Sequence, residues 1–183
     1  MNSTRATRQA ASADDQKTAD RLAETFARYQ DELLGMLYYV VGNADDAQDA
    51  LQEAFVKCWR RRKRLAEIED LKAWVFRVAL NAGRDLRGTA WRRHRRSLTV
   101  DEATLPAAAP GPEADAARRE QLELIRRALL TLRSEEREVF LLRQNGQMTY
   151  EQIAESLELP VGTVKTRMRL ALSKLRESLD TRP

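Results

Sequence analysis

The chain has 183 residues, enough for one large domain or two small ones, and carries 33% charged residues with a net charge of only +4. Scarce glycine and abundant arginine, leucine and alanine favour helices over sheet. No apolar run approaches the roughly 20 residues that span a bilayer, the polar N-terminus lacks the apolar segment of a secretory signal, and the single cysteine, Cys58, excludes an internal disulfide or a cysteine-rich metal site. A soluble cytoplasmic protein without a cofactor is the expectation, and any affinity for nucleic acid must rest on where the charge sits.

Residues 1–20, MNSTRATRQAASADDQKTAD, read as a disordered polar tail. Leu22, Phe26, Tyr29, Leu33, Leu37 and Val40 recur at helical spacing, which predicts a first helix over roughly Leu22 to Val41, stopped by Gly42-Asn43. A second helix is expected from about Asp45 to Arg62. Its buried stripe is Ala47, Leu51, Ala54, Phe55 and Cys58, while Asp45, Asp49 and Glu53 line another face at spacings of four. Lys57 and the run from Arg60 to Arg64 place cations at its C-terminal end, where the helix dipole favours them. Cys58, on the apolar stripe, reads as a small buried hydrophobe rather than a reactive thiol.

After a short connection at residues 65–70, in which Asp70 can cap the next helix, a third helix is predicted over about Leu71 to Arg87. Leu71, Val75, Val78, Ala82 and Leu86 point inward. Trp74, Arg77, Asn81 and Arg84 share a different face, either a solvated stripe with a half-buried tryptophan or a stacking platform beside a phosphate-binding groove. Residues 84–96, RDLRGTAWRRHRR, hold six arginines against one aspartate around Trp91, and this favours nucleic acid. His94 is the only histidine and lacks the second ligand a metal needs.

Composition changes after Arg96. Residues 97–118 hold three prolines and many alanines and read as a semi-extended linker, long enough when stretched to span roughly 65–70 Å. Beyond it, Leu122, Ile125, Leu129 and Leu132 form one helical face, and Ser134 is expected to cap a helix from about Glu135 to Gln144 that Asn145-Gly146 ends. Thr149 and Gln152 then form a capping-box pair ahead of a short helix carrying Ile153, Ala154 and Leu157. Leu157-Glu158-Leu159-Pro160 breaks it, and Val161, Val164, Met168 and Leu172 give the inner stripe of a second helix. This is a helix-turn-helix pattern. Its outer face, Thr163, Lys165, Thr166, Arg167 and Arg169, puts hydroxyls and cations at the leading end of a helix, which suits a major groove; a helical hairpin with a solvated basic face is the plainer alternative.

The fold expected is therefore all-α, with two small helical domains joined by a flexible Ala/Pro linker and a helix-turn-helix in the second. This arrangement resembles the bacterial RNA polymerase sigma factors of the extracytoplasmic-function group, which keep only regions 2 and 4 of the sigma-70 family. ADDAQDALQEAFVKCWRR (44–61) is similar to region 2.2, LKAWVFRVALNAGRDLRGTAWRRHRR (71–96) to regions 2.3 and 2.4, and the stretch from Leu130 to Arg176 to region 4. The resemblance implies region 2 over 21–96 and region 4 over 119–180.

It further implies that Asp49, Gln52 and Glu53 dock on the basic clamp helices of the largest subunit of core polymerase. Trp74, Arg77, Asn81 and Arg84 would open and hold the −10 element of promoter DNA. The loop from Arg64 to Asp70 would receive a flipped-out base, and Arg92, Arg93, Arg95 and Arg96 would follow the backbone. Thr163, Lys165, Thr166, Arg167 and Arg169 would serve the −35 element. An anti-sigma factor is the further partner implied.

Two positions depart from the family pattern. Glu158 stands where the family usually has glycine, and a non-glycine residue held at positive φ costs roughly 1 kcal/mol. Leu170 stands where many members have arginine, with Arg169 one helical step of about 100° away.

Two rivals belong to other classes. Asp45, Asp46, Asp49 and Glu53 make an acidic helical cluster that, facing a second such helix, would bind divalent metal for phosphate hydrolysis; Glu135, Glu136 and Glu138 are the candidate second helix. A stand-alone helix-turn-helix regulator, acting without polymerase, is the other.

Overall fold

The computed structural model describes the backbone of residues 2–94 and 123–180, and the side chains of 15–65, 67–89 and 123–180. Among the described residues every regular element is helical: α1 (Asn2–Arg28), α2 (Gln30–Val41), α3 (Ala44–Arg60), a 3-10 segment (Arg62–Glu67), α4 (Leu71–His94), α5 (residues 123–130), α6 (Ser134–Gln144), α7 (Tyr150–Leu157) and α8 (Val161–Asp180). The all-α expectation holds.

The N-terminal half is a bundle of α1 to α4. The helix expected to start near Leu22 begins at Asn2, so the stretch expected to be a tail is helical, and Ala19 already packs into the core. The sequence there is rich in alanine, the best helix former, which hydropathy periodicity overlooks. The expected single helix from Leu22 to Val41 is instead two, divided at Tyr29, whose ring meets Phe76 at 6.2 Å and lies 4.9 Å from the Lys72 ammonium.

Gly42 ends α2 at φ 102°, a left-handed conformation that glycine takes without a Cβ clash. Asn43 then caps α3, its side chain accepting the Asp46 N–H at 2.7 Å. Cys58 and Ala54 are fully buried on α3, as expected, and desolvation pushes the Cys58 thiol up to about 12. Asp70 caps α4 by accepting the Ala73 N–H at 2.9 Å. α4 lies close on α2 at Gly83, where an added Cβ would meet Leu37 at 2.9 Å. It continues past the expected Arg87 to His94.

In the C-terminal half, Leu129 and Leu132 are buried as expected, but Ile125 is exposed. The cap of α6 also differs: Glu136 reaches back to the Arg133 N–H at 3.0 Å, leaving Ser134 as the first helical residue. The turn from α7 to α8 falls at Glu158, and Val164, Met168 and Ala171 form the buried stripe of α8. Leu172, expected inside, is 45% exposed; Ala171 and the half-buried Leu175 continue the stripe in its place.

The linker, 97–118, lies outside the described residues. The halves it joins are packed together, α2 against α6 and α4 against α7, within one apolar cluster that runs from Leu22 to Met168. The linker length leaves open whether the two domains pack together, and here they do.

Candidate nucleic-acid interface

Three faces carry the charge. On α3, Asp49, Gln52 and Glu53 are all exposed, as a docking stripe requires. Glu53 lies 3.7 Å from Lys57, which also binds Asp85 of α4 at 3.0 Å. The helix is held by its opposite side, so the acidic face is free of packing duty.

The second face is built around the N-terminus of α4. The first half of the expected connection at 65–70 is the end of the 3-10 segment, pinned by buried Leu65. Arg62 lies 5.0 Å over the Trp59 ring and 3.6 Å from Asp15, which turns it away from the site. Arg61, Arg64, Glu67, Ile68, Trp74 and Arg77 then line a cleft of about 450 Å³. Arg64 is exposed, 3.5 Å from Glu67. Trp74 is only 9% exposed, so it belongs to the core as much as to the surface. Of the two alternatives for this stripe, the tryptophan is more deeply buried than the half-buried residue of the first, yet its edge still lines the cleft.

Arg77 borders this cleft and a second one of about 410 Å³, shared with Arg61, Asn81 and Arg84. Asn81 accepts from Arg84 at 3.2 Å. Arg84 is not free: its guanidinium donates to both Glu138 carboxylate oxygens, through Nε at 2.8 Å and through NH2. That fork raises the Arg84 pKa above its ordinary value against the opposing effect of burial. The side chains of Arg92 and Arg93, like those of Trp91 and His94, lie outside the described residues, as do Arg95 and Arg96 entirely.

The third face is the helix-turn-helix. Gln152 donates its N–H to Thr149 Oγ1 at 3.2 Å, while Thr149 donates its own to Gln152 Oε1 at 2.7 Å, completing the expected capping box. Glu158 sits at φ 56° and ψ 46°, so the strain expected of a non-glycine residue in this turn is borne. On α8, Lys165, Thr166 and Arg169 are exposed, and Thr163 and Arg167 partly so. Thr166 Oγ1 donates to the Gly162 carbonyl at 2.9 Å, which leaves its lone pairs to outside donors. Arg167 lies near enough to Glu135 to help lower that carboxyl's pKa, after the larger effect of a backbone hydrogen bond. Leu170 is 38% exposed beside Arg169.

The metal rival loses its second helix here. Glu136 is bound by Lys174 at 2.7 and 2.8 Å, and Glu138 by Arg84, so both face cations rather than the acids of α3. Among the described residues no group of three histidine, cysteine or carboxylate side chains is placed to hold a metal ion.

Sequence reasoning missed Arg61 and Glu138. Arg61 is one of five consecutive cations, and only the turn into the 3-10 segment selects it. Glu138 enters the sequence reading only as part of the rival acidic helix, and nothing local pairs it with Arg84.

Comparison with known proteins fits this geometry. The family described as Sigma-70 region 2 matches residues 25–97, and that described as Sigma-70, region 4 matches residues 122–175. The RNA polymerase sigma-E factor of Streptomyces avermitilis is 33% identical over 153 residues, covering 84% of this chain and 82% of that one. The ECF RNA polymerase sigma factor SigW of Bacillus subtilis is 26% identical over 171 residues, covering 87% and 89%. In fold, the chain is similar to the sigma factor RpoE in its complex with the anti-sigma factor NepR from Bartonella quintana, with a TM-score of 0.68 at 22% identity over 88% of this chain and 98% of that one. With both regions present in order and its relatives matched over most of their length, the chain belongs to the extracytoplasmic-function group of the sigma-70 family, RNA polymerase sigma factors that direct the enzyme to promoters.

Proposed function

We propose that residues 21–96 dock the chain on the clamp helices of core polymerase through Asp49, Gln52 and Glu53, and hold the opened −10 strand on Arg64, Trp74, Arg77, Asn81, Arg84, Arg92 and Arg93. Residues 119–180 read the −35 element through Thr163, Lys165, Thr166, Arg167 and Arg169. The observation that carries this reading is the separation of charge by face. An exposed acidic stripe on α3, an arginine- and tryptophan-lined cleft at the start of α4, and an exposed basic stripe on α8 lie on one chain. The acidic stripe suits a basic protein partner. The cleft offers an aromatic surface and the guanidinium groups of Arg61, Arg64 and Arg77 to an unstacked base and its phosphates. The α8 stripe offers cations and hydroxyls to a major groove.

Every part of this work is binding and positioning, so it requires no catalytic group and no cofactor. It places the protein in the bacterial cytoplasm with the polymerase; among the described residues no helix is long and apolar enough to cross a membrane. An anti-sigma factor is the proposed regulatory partner, in keeping with the NepR complex of the Bartonella quintana protein.

Reconstitution with core polymerase tests the reading. The holoenzyme should give promoter-dependent transcripts, and charge reversal at Asp49 and Glu53 should abolish core binding while leaving duplex DNA binding intact. Tight operator binding by the chain alone, with no transcript on adding core enzyme, would establish the stand-alone regulator instead.

A further inference from the structure

The outward face of α8 is not polar throughout. Val164, Met168 and Ala171 form its buried stripe. Leu170 follows Thr163 by seven positions and Thr166 by four, so it shares their side of the helix, away from that stripe. It is 38% exposed there. The other exposed leucines of α8, Leu172 and Leu179, continue from Lys165 at intervals of seven and form a separate edge. Beyond Leu170 the face closes, because Ser173 donates to Glu177 at 3.0 Å and Lys174 is bound to Glu136.

The neighbours of Leu170 make room for a close partner. Gly162, four positions before Thr166, is exposed, and a Cβ added to it would meet nothing within 4 Å. Its φ is not positive, so neither packing nor backbone in this chain calls for glycine. What the missing side chain gives is close approach by an outside surface. Thr166 has spent its hydroxyl proton on the Gly162 carbonyl, so it offers such a surface acceptor lone pairs and a methyl group. Thr166 and Leu170 thus make a small apolar step beside the exposed cations Lys165 and Arg169.

Leucine neither donates nor accepts a hydrogen bond, so it can read a base only by apolar contact. In a major groove the apolar group is the thymine 5-methyl, and the other distinguishing groups are donors or acceptors. We propose that Leu170 is a specificity-determining residue that selects thymine in the −35 element by packing on its 5-methyl group, with Thr166 alongside. The proposal rests on the reading of α8 as the −35 surface and deepens it by naming the base and the contact.

The test uses holoenzyme reconstituted from core polymerase and the full chain. A random duplex pool enriched on the parent holoenzyme gives the upstream sequence block. Each thymine in it is then replaced in turn by deoxyuridine, which lacks only the 5-methyl group. One replacement should weaken the parent about fourfold, the worth of one buried methyl group, and should leave the L170A holoenzyme unaffected. The slope of log affinity against log salt should be the same for L170A and the parent, because no charge is lost. A pool enriched on L170R should carry guanine in place of that thymine, the base that arginine reads.

Equal sensitivity of parent and L170A to every replacement would overturn the proposal, as would an enriched block without thymine or a pool unchanged by L170R. A loss of affinity in L170A that is the same on thymine and deoxyuridine templates would also overturn it, placing Leu170 in a protein contact instead. If no upstream block is enriched while core binding is normal, the −35 reading beneath has failed and takes the proposal with it. Thermal midpoints confirm that both variants are folded.

Discussion

Glu158 shows how a single residue can carry a cost set by its surroundings. At φ 56° its Cβ crowds the backbone, a strain of about 1 kcal/mol that glycine avoids. Comparing glycine with alanine at this position isolates the strain, because both remove the carboxylate. Glu158→Gly is expected to be more stable than Glu158→Ala by about 1 kcal/mol, read from denaturant midpoints. Equal midpoints would mean that the turn relaxes out of the left-handed region when the side chain is cut back. The break in hydrophobic periodicity marks the turn in the sequence, but the strain was indicated only by the family resemblance, which implies a glycine where Glu158 stands. Trp74 is the opposite case. Its spacing put it on the arginine stripe, while only packing shows that it is buried.

At the scale of the element, α6 presents three consecutive charged residues that are all buried, Glu136, Arg137 and Glu138. Glu136 belongs to its own half, tying α8 through Lys174 and capping α6 at Arg133. Burial raises its pKa, but the Lys174 ammonium and the Arg133 N–H outweigh that and hold it below the ordinary value. A carboxyl depressed in the folded state stabilises the fold above its unfolded pKa and loses that contribution as pH falls through the folded one. Glu136→Gln is therefore expected to cost about 1–3 kcal/mol near neutral pH. The difference from the parent should shrink as pH is lowered from about 5 through the unfolded value near 4.3. Urea titrations over that range decide it; a difference independent of pH would place the effect in packing.

The α8 stripe carries a prediction of the same scale. Lys165→Ala and Arg169→Ala each remove one exposed cation, so each should lower the slope of log affinity against log salt on −35 duplex DNA by about 0.9 if it meets a phosphate. A residue whose loss leaves the slope unchanged but alters sequence preference reads a base instead. Leu170, exposed beside Arg169, has no charge to lose.

At the scale of the molecule, the contact between the halves changes which variants are informative. Trp74→Ala would remove a buried tryptophan and cost about 3–5 kcal/mol of stability, confusing a DNA effect with unfolding. Arg77→Ala and Asn81→Ala are better probes, since Asn81 is exposed and Arg77 borders both clefts from a partly exposed position. In the reconstituted holoenzyme both should reduce permanganate reactivity of the −10 thymines while core binding and −35 duplex binding stay unchanged. Normal reactivity in both would move strand opening away from this face. Arg84→Ala is less clean, because it also strips Glu138 of its partner.

What the sequence determined by itself was what short-range physics sets. Periodicity located the helices from Leu33 to Arg60 and from Val139 to Met168, capping residues marked Asp70 and Thr149, and the order of acidic, arginine-rich and helix-turn-helix segments resembled one family over most of the chain. It misjudged what depends on neighbours from afar, namely the helical start of the chain, the break at Tyr29 and the exposure of Leu172, and it left undecided the contact between α4 and α7. Arg84 and Glu138 are 54 positions apart, and nothing local pairs them. A side chain's periodicity says which way it points from its own helix, whereas its partner is chosen by how separate helices come to share one core, and that only the tertiary structure decided.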